Sequence, residues 1–132
     1  MNPIQPAGQL PNLKRMHRRF ARLGLIPSRW RLTKERIRHG YRQQDLAARM
    51  APPVAPVTLC RYETGAYALH IGVVARAAHA LCCKVDALVV GNLAVWEFEN
   101  ACRDEWHALG RPADLAAMEL IEARLWERRR AG

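Results

Sequence analysis

The stretch from Gln43 to Val90 constrains this chain most, because its apolar residues recur at helical spacing in short, separately punctuated segments. Leu46, Ala47 and Met50 share one face of a short helix, and Leu59 and Tyr62, three residues apart, form the inward face of a second. Val57, Thr58 and Arg61 then point outward. Between the two lies Met50-Ala51-Pro52-Pro53-Val54. Proline fixes φ and pushes its predecessor toward extended geometry, so this turn is expected to be stiff. Two short helices joined by a turn, the second with an exposed outer face, have the shape that enters a DNA major groove.

The flanking residues extend the pattern. Ile71, Val74, Ala75, Ala78 and Leu81 follow the steps of a core-facing helix, and Val85 and Leu88 begin a last short one. Upstream, Leu32 and Ile37 supply the apolar contacts of a first helix. Gly40 suits its left-handed C-terminal cap, and Tyr41 the apolar position after it. Arg42 stands at the N-cap of the second helix, where its guanidinium cannot accept the orphan backbone bonds, so a poorly capped start is expected. Ala55 falls at the N-cap of the third helix and Pro56 in its first turn, a favoured place for proline.

Gln43 with Leu46-Ala47, the string Leu59-x-Arg61-Tyr62-Glu63-x-Gly65 and the apolar helix that follows resemble the lambda repressor and Cro family, also called the xenobiotic-response-element family. The resemblance runs from Leu32 to Gly91. It implies an all-α fold, a five-helix lambda-repressor-like helix-turn-helix domain, and double-stranded DNA as partner. It also implies a homodimeric transcriptional repressor on a pseudo-palindromic operator. The implied base readers are Pro56, Val57, Thr58 and Arg61. Pro56 and Val57 offer only apolar contact, for instance to thymine methyls, whereas Arg61 can grip guanine with two donors. A phosphate contact, or an ion pair with Glu63 or Glu35, is the alternative for Arg61. Implied backbone contacts are Gln43, Gln44, Thr64, Tyr67 and Arg36, with Arg29, Arg31 and Arg38 around the same first helix. The chain departs from the family in four places: Glu35 precedes Arg36 where an apolar residue is usual, Arg42 replaces a Ser or Thr cap, the Pro52-Pro53 turn is two residues longer, and Cys82-Cys83 stand where Gly and Val are usual.

Charge points the same way. A net charge of +9 with a pI near 10.3 implies a polyanionic partner. The excess is localised: residues 1–42 hold eleven Lys or Arg against the single acid Glu35, whereas residues 92–132 hold six bases against eight acids. Lys14, Arg15, Arg18, Arg19 and Arg22 interleave with Leu13, Met16, Phe20 and Leu23, which predicts an amphipathic helix or one formed on binding DNA. Phosphate or minor-groove contact by these five is the favoured reading, and a solvated face the alternative. The first dozen residues, with Pro3, Pro6 and Pro11, read as a flexible tail.

The organisation expected is a basic N-terminal arm or helix over 1–30, the helix-turn-helix domain over 31–91 and a C-terminal helical hairpin over 92–132. The hairpin's first stripe is Val95, Phe98, Cys102, Trp106 and Leu109. Gly110-Arg111-Pro112 breaks the chain, and Leu115, Met118, Ile121, Leu125 and Trp126 form the second. Two such helices cannot cover Trp96, Trp106 and Trp126 alone. Dimerisation through Val95, Phe98, Trp106, Leu115, Met118 and Leu125 is expected, with packing back on the domain or capture of another protein as alternatives. The rival functions are an antitoxin-type autorepressor whose hairpin binds a toxin, and a weakly specific DNA-architectural protein.

No apolar run approaches the roughly 18 residues of a membrane span, and no signal-peptide pattern opens the chain, so no membrane partner and a cytoplasmic location are expected. Cys60, Cys82, Cys83 and Cys102 are expected reduced and buried. His79 with Cys82-Cys83, and His70 or Cys60 beyond, makes a poor metal chelate, so neither metal nor cofactor is expected. Gly-rich phosphate loops and nucleophile elbows are both missing from the sequence, which speaks against an enzyme.

Overall fold

The computed structural model describes residues 13–132, which are mostly helical. The proline-bearing tail predicted over the first dozen residues lies outside them. In chain order the elements are α1 (Leu13–Leu23), β1 (Ile26–Pro27), α2 (Arg29–Arg38), α3 (Gln43–Arg49), α4 (Pro56–Thr64) and α5 (Ile71–Ala80). A 3-10 turn (Val85–Leu88), β2 (Val89–Val90), α6 (Leu93–Ala108) and α7 (Leu115–Ala131) complete them.

Helix α2 divides two cores. Its Leu32 faces the first, with Phe20, Leu46, Met50, Leu59, Val73, Val74, Leu81 and Leu88. Trp30 and Ile37, seven residues apart and so on another face, meet the second, formed with Cys102, Trp106, Met118 and Ile121. Ile37 thus packs on the hairpin and not within the first core. Ser28 starts α2 and joins the two halves: its Oγ accepts from the Arg31 backbone N–H at 3.1 Å and donates to Glu99 at 2.6 Å.

The basic N-terminal segment is not a detached arm. Phe20 is buried in the first core, Met16 packs beside it, and α1 rests on α5. A two-residue antiparallel ladder pairs Ile26 with Val90 and Pro27 with Val89, which ties the segment to the end of the domain. These strands, unexpected in an all-α reading, are too short to show alternation in sequence. The last helix of the domain is a single 3-10 turn.

The punctuation follows the residues. Gly40 sits at φ +73 after α2, as a left-handed cap requires. Arg42 makes no side-chain cap at α3, but its backbone N–H donates to the Asp45 carboxylate at 2.8 Å, so one orphan donor is satisfied from the third position instead. That bond holds the Asp45 carboxyl below its ordinary pKa. Asn92 and Asp114 cap α6 and α7 through their side-chain oxygens. At the end of α5, Cys82 occupies the left-handed region at φ +54, where glycine is the unstrained residue.

Candidate nucleic-acid interface

Helix α4 turns Leu59 and Glu63 inward and leaves Pro56, Val57 and Arg61 exposed, with Thr58 half-buried. Val57 keeps 52% of its surface. Gln44 on α3 is exposed, and Gln43 half-buried. The four residues expected to read bases therefore do share an accessible stretch of one helix.

What fixes α4 is a buried polar cluster. Glu63 lies four residues after Leu59, hence on the inward face, where an acid requires a cation and hydrogen bonds. Arg36 meets it as a fork, Nε donating to Oε2 at 2.8 Å and Nη2 to Oε1 at 3.0 Å. The remaining Arg36 nitrogen donates to the Tyr41 carbonyl at 2.9 Å, and Gln43 Nε2 donates to Glu63 Oε1 at 3.0 Å. The pair leaves 7% and 4% of its side chains exposed. Arg36 is thus an internal strut joining α2, the α2–α3 turn and α4, not the expected backbone contact on DNA. Gln43 is partly committed to the same cluster.

The far end of α4 is held by two further arginines. Gly65 ends the helix at φ +98, and a side chain there would meet Arg29 and Arg103 at 3.6–3.7 Å. Arg29 donates to the carbonyls of Tyr62 (2.6 Å) and Tyr67 (3.0 Å), and Arg103 of α6 to that of Glu63 (3.0 Å). Cations at a helix C-terminus satisfy its orphan carbonyls and oppose its negative dipole end. Burial, and then the neighbouring Arg103, lower the pKa of Arg29. The sequence reading missed Arg103, because nothing local marks a side chain forty residues away as a cap.

Arg61 pairs with neither Glu63 nor Glu35; those acids are taken by Arg36 and Arg38. Instead its guanidinium donates to the Tyr67 hydroxyl at 2.9 Å and lies 5.4 Å from that ring's centroid. Both residues are exposed. Tyr67 thus acts as a rest for Arg61, while Thr64 donates to the Arg61 carbonyl at 3.4 Å.

Much of the basic excess is spent inside the molecule. Arg31 pairs with Glu99 at 2.9 Å and Lys34 with Glu122 at 2.8 Å, both acids belonging to the hairpin. Arg19 reaches Asp86 at 3.5 Å. Lys14, Arg15, Arg18, Arg19 and Arg22 are all exposed on α1, so the five bases expected to touch phosphate lie on the surface, the Arg19–Asp86 pair included.

The hairpin corrects the expected dimer interface. Trp106 and Met118 are 5% and 0% exposed in the chain's own second core, and Phe98 and Leu125 pack against it half-buried. Trp106 meets Trp30 edge-on at 6.3 Å between ring centroids, and Trp30 Nε1 donates to Glu122 at 2.6 Å. The partner surface that the two amphipathic helices require is α2. Val95 stays exposed and Leu115 half-buried. Leu93, Val95 and Trp126 remain accessible at the open end, where Arg129 bonds the Ala94 carbonyl.

The cysteines differ from the buried set expected. Cys102 is buried, Cys60 and Cys83 half-buried, and Cys82 exposed. Burial pushes the Cys83 thiol up to about 11 and Cys102 to about 12, so neither supplies thiolate at neutral pH. Among the described residues no three His, Cys, Asp or Glu side chains converge on a metal position, and no helix is long and apolar enough to cross a membrane. No protein-family model, curated protein or solved structure matches the chain.

Proposed function

We propose that this chain is a sequence-specific DNA-binding protein, a transcriptional regulator of the repressor type, that lays α4 in the major groove as the second helix of a helix-turn-helix. The observation that carries the reading is the pairing of an accessible Pro56–Val57–Thr58–Arg61 stretch with an inner face and C-terminus fixed from α2, α3 and α6. Base readout needs side chains held in register, and a helix anchored this way supplies that. Arg61, resting on Tyr67, is the guanine reader, while Pro56 and Val57 take apolar contacts. Lys14, Arg15, Arg18, Arg19 and Arg22 add sequence-independent attraction to phosphate. Two copies bind a pseudo-palindromic site. The hairpin's apolar residues left for self-association, or for a partner protein as in an antitoxin, are Leu93, Val95, Leu109, Leu120 and Trp126 and not the buried Trp106 and Met118.

Arg61→Ala is expected to weaken binding to a selected duplex by about 1–3 kcal/mol and to relax preference at one base pair per half-site. Fluorescence anisotropy on the selected and a scrambled duplex measures both. An equal loss on the two would make Arg61 a phosphate contact and remove direct readout from the account.

A further inference from the structure

The turn between α6 and α7 reaches back to the start of α3, and between them lies an open groove of about 390 Å³. Arg42 and Gln43 line it from one side and Arg111 from the other, with Arg36 at its back. None of the residues lining it is acidic. Arg36 is neutralised by Glu63. Arg42 gives Asp45 only its Nε, at 3.4 Å, and its side chain stays 75% exposed. Among the described residues, no carboxylate lies within ion-pair distance of Arg111.

The hairpin turn that carries Arg111 is stiffly held. Arg111 sits at φ +56, a conformation that costs a side-chain-bearing residue, and its backbone N–H donates to the Trp106 carbonyl at 2.9 Å. The Trp106 indole in turn donates to the Pro112 carbonyl at 2.9 Å. The backbone of this turn gives up little freedom on binding, which leaves ordering of the Arg111 side chain as the main cost. Gln43 adds the second hydrogen of its amide, since only one bond, to Glu63, is made.

We propose that this groove binds a phosphodiester group of the DNA backbone between Arg42 and Arg111. Planar guanidinium forks match phosphate oxygens in geometry as well as charge. The hairpin turn thereby widens the footprint of the α3–α4 pair. The inference rests on the DNA-binding reading above and adds to it a contact from outside the helix-turn-helix.

The test measures affinity of the full-length chain for selected and scrambled duplexes across a range of KCl, for the intact protein, Arg42→Gln, Arg111→Gln and the double variant. Arg124→Gln, an exposed arginine of α7, serves as control. The double variant is expected to lower the slope of log K against log salt by about 0.9 per bound protomer, one phosphate contact being lost, and each single variant to lower it by part of that, equally on both duplexes. The control should keep the intact slope, and circular dichroism should show unchanged helicity throughout. An intact slope in the double variant, with binding still specific, overturns the groove while leaving the DNA reading in place. Stabilisation of the intact chain by inorganic phosphate that the double variant loses, combined with an unchanged slope, assigns the groove to a free anion and also overturns the proposal. If the intact protein binds neither duplex, both the groove and the reading beneath it fall.

Discussion

Arg36→Ala is expected to remove about 3–5 kcal/mol of stability, because it leaves the Glu63 carboxylate buried without its cation. Against the roughly 5–15 kcal/mol by which domains are stable, that is a large share of the total. Glu63→Ala should cost a similar amount, since the stranded group is then a guanidinium. The double change Arg36→Met with Glu63→Leu should recover most of the loss, because a buried ion pair and an apolar pair of similar volume are often equivalent. Urea denaturation followed by circular dichroism reads all three. The apolar double variant should also bind the selected duplex less well per folded molecule, since Gln43 would lose its acceptor on Glu63 and the register of α3 against α4 would slacken. Single variants as stable as the intact chain would show that the cluster does not hold α4.

The second large effect belongs to the hairpin. Trp106→Ala should cost about 3–5 kcal/mol, the usual range for removing a large aromatic side chain from a core. It empties the space against Trp30 and removes the indole bond that fixes the α6–α7 turn. Removing residues 92–132 should be more damaging than removing an appended dimer module. It would uncover Trp30 and Ile37, strip Arg31 and Lys34 of Glu99 and Glu122, and take Arg103 from the end of α4. Thermal unfolding of the truncated chain checks this: a cooperative transition near that of the full chain would return the hairpin to an independent role.

The legible part of this molecule was the part written in local periodicity. The inward faces of α3, α4 and α5, the glycine after α2, the proline in the first turn of α4 and the Gly110-Arg111-Pro112 break all follow from spacing and φ preferences. The hairpin's stripes were also visible in Cys102, Trp106, Met118 and Ile121, but a stripe states only that something covers it. What covers it is α2, whose second apolar face of Trp30 and Ile37 is hidden among Arg29, Arg31, Lys34, Arg36 and Arg38. The same basic residues read in sequence as a basic surface. Several instead pair with acids more than twenty residues away, and long-range pairing of this kind leaves no periodic trace. The exposure of Arg61 and Val57 was legible, whereas the support of Arg61 by Tyr67 depends on the loop after α4 folding back.

The central claim, readout of a DNA sequence through the exposed residues of α4, is tested most directly by selecting sites from a pool of randomised duplexes with the intact protein and with Arg61→Ala. The account predicts an enriched pseudo-palindromic motif for the intact chain, with a guanine in each half-site that the Arg61→Ala pool no longer fixes, and weaker binding to scrambled duplex at every salt concentration. Recovery of no motif, or of the same motif from both proteins, would contradict it.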